Sequence, residues 1–203
     1  MSTVATARTL FLHVPKTGGT WVTRVLLECG ASFEVLDSVS PHADLPAVRN
    51  VKRQFTFAFV RHPLTWWQSF WAYRRATGWI KRHPFDSRVR SNGNDFSTFV
   101  DNVIARAPGY LSRTFENYVG PPSAPIDFIG RYENLTDDLV EALRLSGESF
   151  DENIVRARPP ENASNYKAFP AKYSAKQAAD LADAERVAIE RFYPAGERSG
   201  GPP

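Results

Sequence analysis

The chain has 203 residues, 42% hydrophobic and 13% aromatic, enough for a substantial core and inconsistent with a disordered chain. Lys and Arg exceed Asp and Glu by 25 − 22 = 3, too small an excess to indicate a nucleic-acid binder. A single cysteine excludes an internal disulfide and suits a reducing compartment. No stretch reaches the ~18 apolar residues of a membrane span, and the N-terminus lacks signal-peptide order, so a cytoplasmic protein that engages no membrane is expected.

Residues 9–14, TLFLHV, form a mostly apolar run stopped by Pro15, which predicts a buried strand. GGTWVTRVLLECG then runs at helical spacing, with Trp21, Val25 and Leu26 on one side, and ends at Gly30. Cys29 follows the apolar run of this helix and reads as a core filler rather than a nucleophile. Residues 32–36 predict a second strand and FTFAFV, residues 55–60, a buried one. Arg61-His62-Pro63 comes next, and Pro63 opens a helix to Arg75.

Residues 77–94 read as a loop rich in Gly, Pro, Asn and basic side chains, after which Asp95 caps a helix reaching Arg106. IDFIGRY, residues 126–132, is a further strand. A helix from an Asn134 cap to Gly147 follows it. Residues 150–172 read as irregular, and residues 174–193 as one amphipathic helix. Strands alternating with helices predict an α/β fold: a P-loop-like, three-layer arrangement with a central, mainly parallel sheet flanked by helices. The whole chain is expected to be one domain, with residues 1–8 and 195–203 as frayed tails.

In such sheets ligands sit at the carboxyl ends of strands. HVPKTGGTW, residues 13–21, lies at such an end and so does Arg61. Glycines between a strand and a helix let backbone N–H groups turn toward an anion, and the helix N-terminus adds partial positive charge. Lys16 supplies an ammonium, and Thr17 and Thr20 supply hydroxyls. The lysine precedes the glycines, whereas the ATPase loop ends in GK[ST]. The bland alternative is a glycine-rich turn with an exposed lysine. Ser69 follows Arg61 by eight residues, about two helical turns, so a guanidinium and a hydroxyl could converge on one anion.

PKTGGTW resembles the 5′-phosphosulfate loop of sulfotransferases that use 3′-phosphoadenosine 5′-phosphosulfate (PAPS). FAFVRHPLTWWQSFWAY is similar to the same family's 3′-phosphate motif. RYENL, residues 131–135, and ENASNYKAFPAKYS resemble its later strand and a C-terminal segment. Together these cover roughly residues 9 to 193, as in a compact bacterial-type member. The resemblance implies PAPS as donor, 3′,5′-adenosine bisphosphate (PAP) as product, and no metal.

It further implies that Lys16 stabilises the leaving phosphate while Thr17, Gly18, Gly19 and Thr20 cradle the 5′-phosphate. Arg61 and Ser69 would hold the 3′-phosphate. Trp21 would stack on adenine or, equally, fill the core; Tyr132 would lie near the adenine or in the strand core. Lys167 would return a charge to the phosphates. The base that deprotonates the acceptor is expected at His42, with Glu34 and Asp44 as alternatives. His13 reads as structural, His62 as facing away, and His83 as a possible contact for an acidic acceptor.

Trp67 and Trp71 lie one helical turn apart and read as core, while Trp66 and Trp79 are open to a core or an acceptor-cleft role. The acceptor is expected to be a small molecule or carbohydrate bearing a hydroxyl or amine. A P-loop-type kinase and a non-catalytic PAPS- or polyanion-binding module are the competing classes. The kinase lacks a convincing magnesium-binding acidic strand end.

Overall fold

The structure, a computed structural model, describes residues 3–31, 33–35, 44–48, 54–80, 83–91, 95–159 and 168–194. They form two compact units. One holds described residues 3–61 and 114–159, the other 62–113 and 168–194.

The first unit is built on a five-stranded sheet. The strands β1 (Val4–Thr6), β2 (Thr9–Leu12), β3 (Phe33–Val35), β4 (Phe55–Val60) and β5 (Phe128–Arg131) lie in the order β3-β1-β2-β4-β5. β4 pairs in parallel with β2 and β5, and β1 pairs antiparallel with β2 and β3. Four strands therefore share one direction and β1 alone runs against them, which is the mainly parallel α/β sheet that the alternation predicts.

β1 lies where a frayed tail is expected. Its hairpin with β2 is closed by the Thr6 hydroxyl, which accepts the N–H of Thr9 at 2.9 Å and lies 2.7 Å from the Thr9 hydroxyl. The strand is too short for its pattern to show in the sequence.

β2 and the last four residues of β4 are buried on both faces, as a sheet covered on both sides requires. On one face Phe11 and Phe57 stack at 5.2 Å, and Phe59 joins them edge-on. Trp21, Val22, Val25 and Leu26 of α1 (Gly19–Glu28) and Leu139 and Leu143 of α6 (Leu135–Ser146) complete this core. Cys29 is buried in it, and burial raises its thiol pKa, so it is a filler and not a nucleophile. α7 (Glu152–Ala157) occupies part of the stretch expected to be irregular. Asn134 precedes α6 but makes no side-chain cap.

The second unit is helical: α2 (Pro63–Thr77), α3 (Pro84–Val89), α4 (Phe96–Arg106), the start of α5 (Tyr110–Val119), α8 (Ala175–Ala184) and α9 (Arg186–Phe192). Pro63 occupies the first turn of α2, where its missing N–H costs nothing. Asp95 caps α4 by accepting the Thr98 N–H at 2.9 Å, as its position predicts. α3 replaces part of the expected loop, and α5 has no counterpart in the sequence reading.

Trp67 is fully buried at the centre, with rings of Trp66, Phe85, Phe99 and Tyr110 within 4.9–6.1 Å. Trp66 and Trp71 are buried as well, which settles both as core; Trp79 is half-buried against Phe70 and Phe99.

The last predicted helix is interrupted at Glu185, which separates α8 from α9. Its fully buried carboxylate accepts N–H groups of Leu111 (3.0 Å) and Ser112 (2.8 Å) and the Ser112 hydroxyl (2.7 Å). It thereby caps the first turn of α5. Burial pushes its pKa up.

Candidate anion site at the strand ends

The loop between β2 and α1 closes on itself. Thr17 is fully buried and its hydroxyl donates to the Val14 carbonyl at 2.9 Å, so that hydroxyl is engaged within the loop. Lys16 and Gly18, on either side of it, both have positive φ, 65° and 83°. For glycine this is ordinary; for lysine it stores strain, which concentrates at functional sites. A Cβ on Gly18 would also lie 2.6 Å from Leu135 Cδ2 and 3.3 Å from the Tyr132 ring.

Gly18 is the N-cap of α1 and no side chain caps the helix, nor is there an acid in its first turn. The first-turn N–H groups therefore form a donor set of the kind that binds anions. Thr20 is half-buried at this end and Lys16 is half-buried in the loop.

The buried Arg61, at the carboxyl end of β4, donates from Nη1 to the Lys16 carbonyl at 3.3 Å. Its guanidinium carbon stands 4.0 Å from the Tyr132 ring centroid, a cation–π contact. Tyr132 begins a 3-10 turn directly after β5. That turn is held by Asp138 of α6, whose carboxylate accepts the Arg131 N–H at 2.5 Å. Burial raises the Asp138 pKa.

The ends of three adjacent parallel strands are thus tied together by Lys16, Arg61 and Tyr132. Chemically this is a preorganised cationic corner beside uncapped helix N–H groups, suited to phosphate or sulfate.

The sulfotransferase family profile matches residues 3–193, a span that includes the loop, Arg61 and Tyr132. The chain belongs to the sulfotransferase family. Sulfuryl transfer is accordingly its general activity, and the resemblance carried by PKTGGTW and the Arg61 segment holds across nearly the whole chain. No curated protein and no solved structure matches it.

The other candidate residues of this sulfotransferase fall into distinct places. Trp21 is 3% exposed and packs in the core of the first unit, so the core alternative describes where its ring lies. Ser69 is buried on α2 in the second unit. Asp44 is half-buried and caps a 3-10 turn at Leu45–Val48, accepting the Ala47 N–H at 3.3 Å. Glu34 sits in β3 opposite Ala5, and its side chain lies outside the described residues, as do His42 and Lys167.

His62 precedes α2 and meets the Tyr193 ring edge-on at 5.1 Å. His83 is exposed, 3.8 Å from Asp86. Asp138 is an acid in the first turn of its helix, and its grip on the β5 end depends on how α6 folds back on the sheet.

Proposed function

We propose that this protein is a PAPS-dependent sulfotransferase. It moves the sulfuryl group in line onto a hydroxyl or amine of a small-molecule or carbohydrate acceptor. The acceptor oxygen or nitrogen bonds to sulfur as the bond from sulfur to the phosphate oxygen breaks. PAP leaves, and a base takes the acceptor's proton.

In this reading the backbone from Thr17 to Thr20 cradles the 5′-phosphate. Lys16 offsets the charge that builds on it as the bond breaks. Arg61 recognises the 3′-phosphate with its guanidinium held over Tyr132, which makes Tyr132 a platform for Arg61 as well as a neighbour of the nucleotide. Ser69 and Lys167 keep the phosphate-binding roles that the family resemblance implies. His42 is the proposed base, with Glu34 and Asp44 as alternatives. We place the enzyme in the cytoplasm, where its lone thiol stays reduced.

The observation that carries this reading is the Lys16–Arg61–Tyr132 corner beside the uncapped start of α1. The first turn of α1 has no side-chain cap and no acid, so its N–H groups are left to a ligand, which fits a phosphate group there. The test is calorimetric titration with PAP beside ATP–magnesium. Micromolar binding of PAP without metal is expected. A preference for ATP–magnesium would overturn the donor assignment in favour of a kinase.

A further inference from the structure

The backbone alone does not explain Gly19. It opens α1 and does not have positive φ, so most residues could adopt its conformation. What excludes them is His13. A Cβ on residue 19 would lie 1.9 Å from His13 Cδ2, 2.2 Å from Nε2 and 2.6 Å from Cγ. These distances are far inside van der Waals contact, and the obstacle is a rigid ring. His13 itself is 5% exposed, and its ring stacks on Phe11 at 6.0 Å and 19°. Phe11 is in turn fixed by Phe57 in the sheet core. The imidazole is therefore wedged between the packed sheet and the first residue of α1.

We propose that His13 is a positioning residue: its ring sets how closely the start of α1 approaches the sheet, and so where the first-turn N–H groups point. The proposal rests on the assignment of this loop to the donor's 5′-phosphate. The interior is close-packed, so a ring seated on Phe11 cannot yield without disturbing the core. Residue 19 must move instead. A shift of about 1 Å in groups that position a reacting ligand is enough to cost up to about 100-fold in rate. His13 and Gly19 thus act as one unit, in which the bulk of one requires the absence of bulk in the other.

The test is a double-mutant cycle of Gly19→Ala, His13→Ala and the combined variant. Affinities are measured for PAP, adenosine 3′-monophosphate and adenosine 5′-monophosphate, alongside thermal unfolding. Gly19→Ala should cut the preference for PAP over the 3′-monophosphate about tenfold or more, as the loss of a hydrogen bond to a charged group does. Its preference for PAP over the 5′-monophosphate should hold, because the Arg61 end is untouched. Adding His13→Ala should restore much of the lost preference, since the clash is gone.

Losses that simply add, or an unchanged preference in Gly19→Ala, would overturn the positioning role while leaving the donor assignment intact. Rescue of melting temperature alone would reduce His13 to a packing residue. If the wild-type protein does not bind PAP, the donor assignment fails and the positioning role fails with it.

Discussion

The guanidinium of Arg61 donates to the carbonyl of Lys16 at 3.3 Å, linking the end of β4 to the one non-glycine residue of positive φ among those described. The bond holds the lysine's backbone in a conformation that costs a residue with a Cβ about 1–2 kcal/mol. The strain and its restraint are therefore two halves of one feature. Arg61→Ala should lower affinity for PAP more than for adenosine 5′-monophosphate, by roughly 1.5–3 kcal/mol for a lost charge-assisted contact. Some loss for both ligands is expected, because the loop loses its restraint. Calorimetry with the two nucleotides checks this; equal losses would leave Arg61 a loop brace only.

Lys16 separates chemistry from folding. Its side chain is half-buried, and its backbone is strained. Lys16→Ala and Lys16→Gly should both slow donor cleavage, by about 10²–10³ if the ammonium stabilises the leaving phosphate. Lys16→Gly should be the more stable of the two, by up to about 1 kcal/mol, because glycine accepts positive φ without strain. Release of PAP from PAPS and denaturant unfolding provide the two readouts. Wild-type cleavage in both variants would remove Lys16 from the chemistry.

Tyr132 presents a face to Arg61, and only an aromatic face can do so. Tyr132→Phe should keep the contact and bind PAP within a few-fold of wild type. Tyr132→Leu should lose about 1–2 kcal/mol of affinity, the range for a partly desolvated cation–π contact. Equal affinity of the two variants would show that the ring face contributes nothing to holding Arg61.

Glu185 supplies a pH signature with no bearing on the anion site. Burial raises its folded pKa above the ordinary 4.5, so the native state holds the proton more tightly than the unfolded chain does. Its contribution to stability is full below 4.5 and declines as pH rises through the raised value. Glu185→Gln abolishes this titration. Its stability relative to wild type should therefore improve as pH climbs above 4.5, measured by urea unfolding across a pH series. At low pH Glu185→Ala should cost about 2–4 kcal/mol, since the buried N–H groups of Leu111 and Ser112 lose their acceptor. A flat difference between wild type and Glu185→Gln would contradict the raised pKa.

Local pattern carries far in this protein. The apolar runs of β2, β4 and β5 are each bounded by a turn residue or a change of polarity, and the motif residues stand directly at their ends. A strand's end and the residue after it are neighbours in sequence, so the positions of Lys16, Arg61 and Tyr132 at strand ends are legible in the pattern of residues itself. The α/β class followed from the alternation, and Asp95 showed its capping role through its place before the helix.

The remainder depends on partners distant in sequence. β1 exists through its pairing with β2 and β3 rather than through any period of its own. Glu185 resembled one more polar position on an amphipathic helix. It became a buried cap because the start of α5, more than 70 residues earlier, needed an acceptor. Trp21 could face ligand or core, and the packing of α1 on Phe11 and Phe57 decided for the core.

The two glycines of PKTGGTW show the division most clearly. A flexible, donor-rich turn between a strand and a helix follows from the order of residue types alone. The need for each glycine is a matter of packing: Gly18 for its left-handed backbone against Leu135, Gly19 to make room for the ring of His13. Conformational preference is a property of a residue and its neighbours, whereas exclusion of a Cβ depends on whatever the fold packs against it.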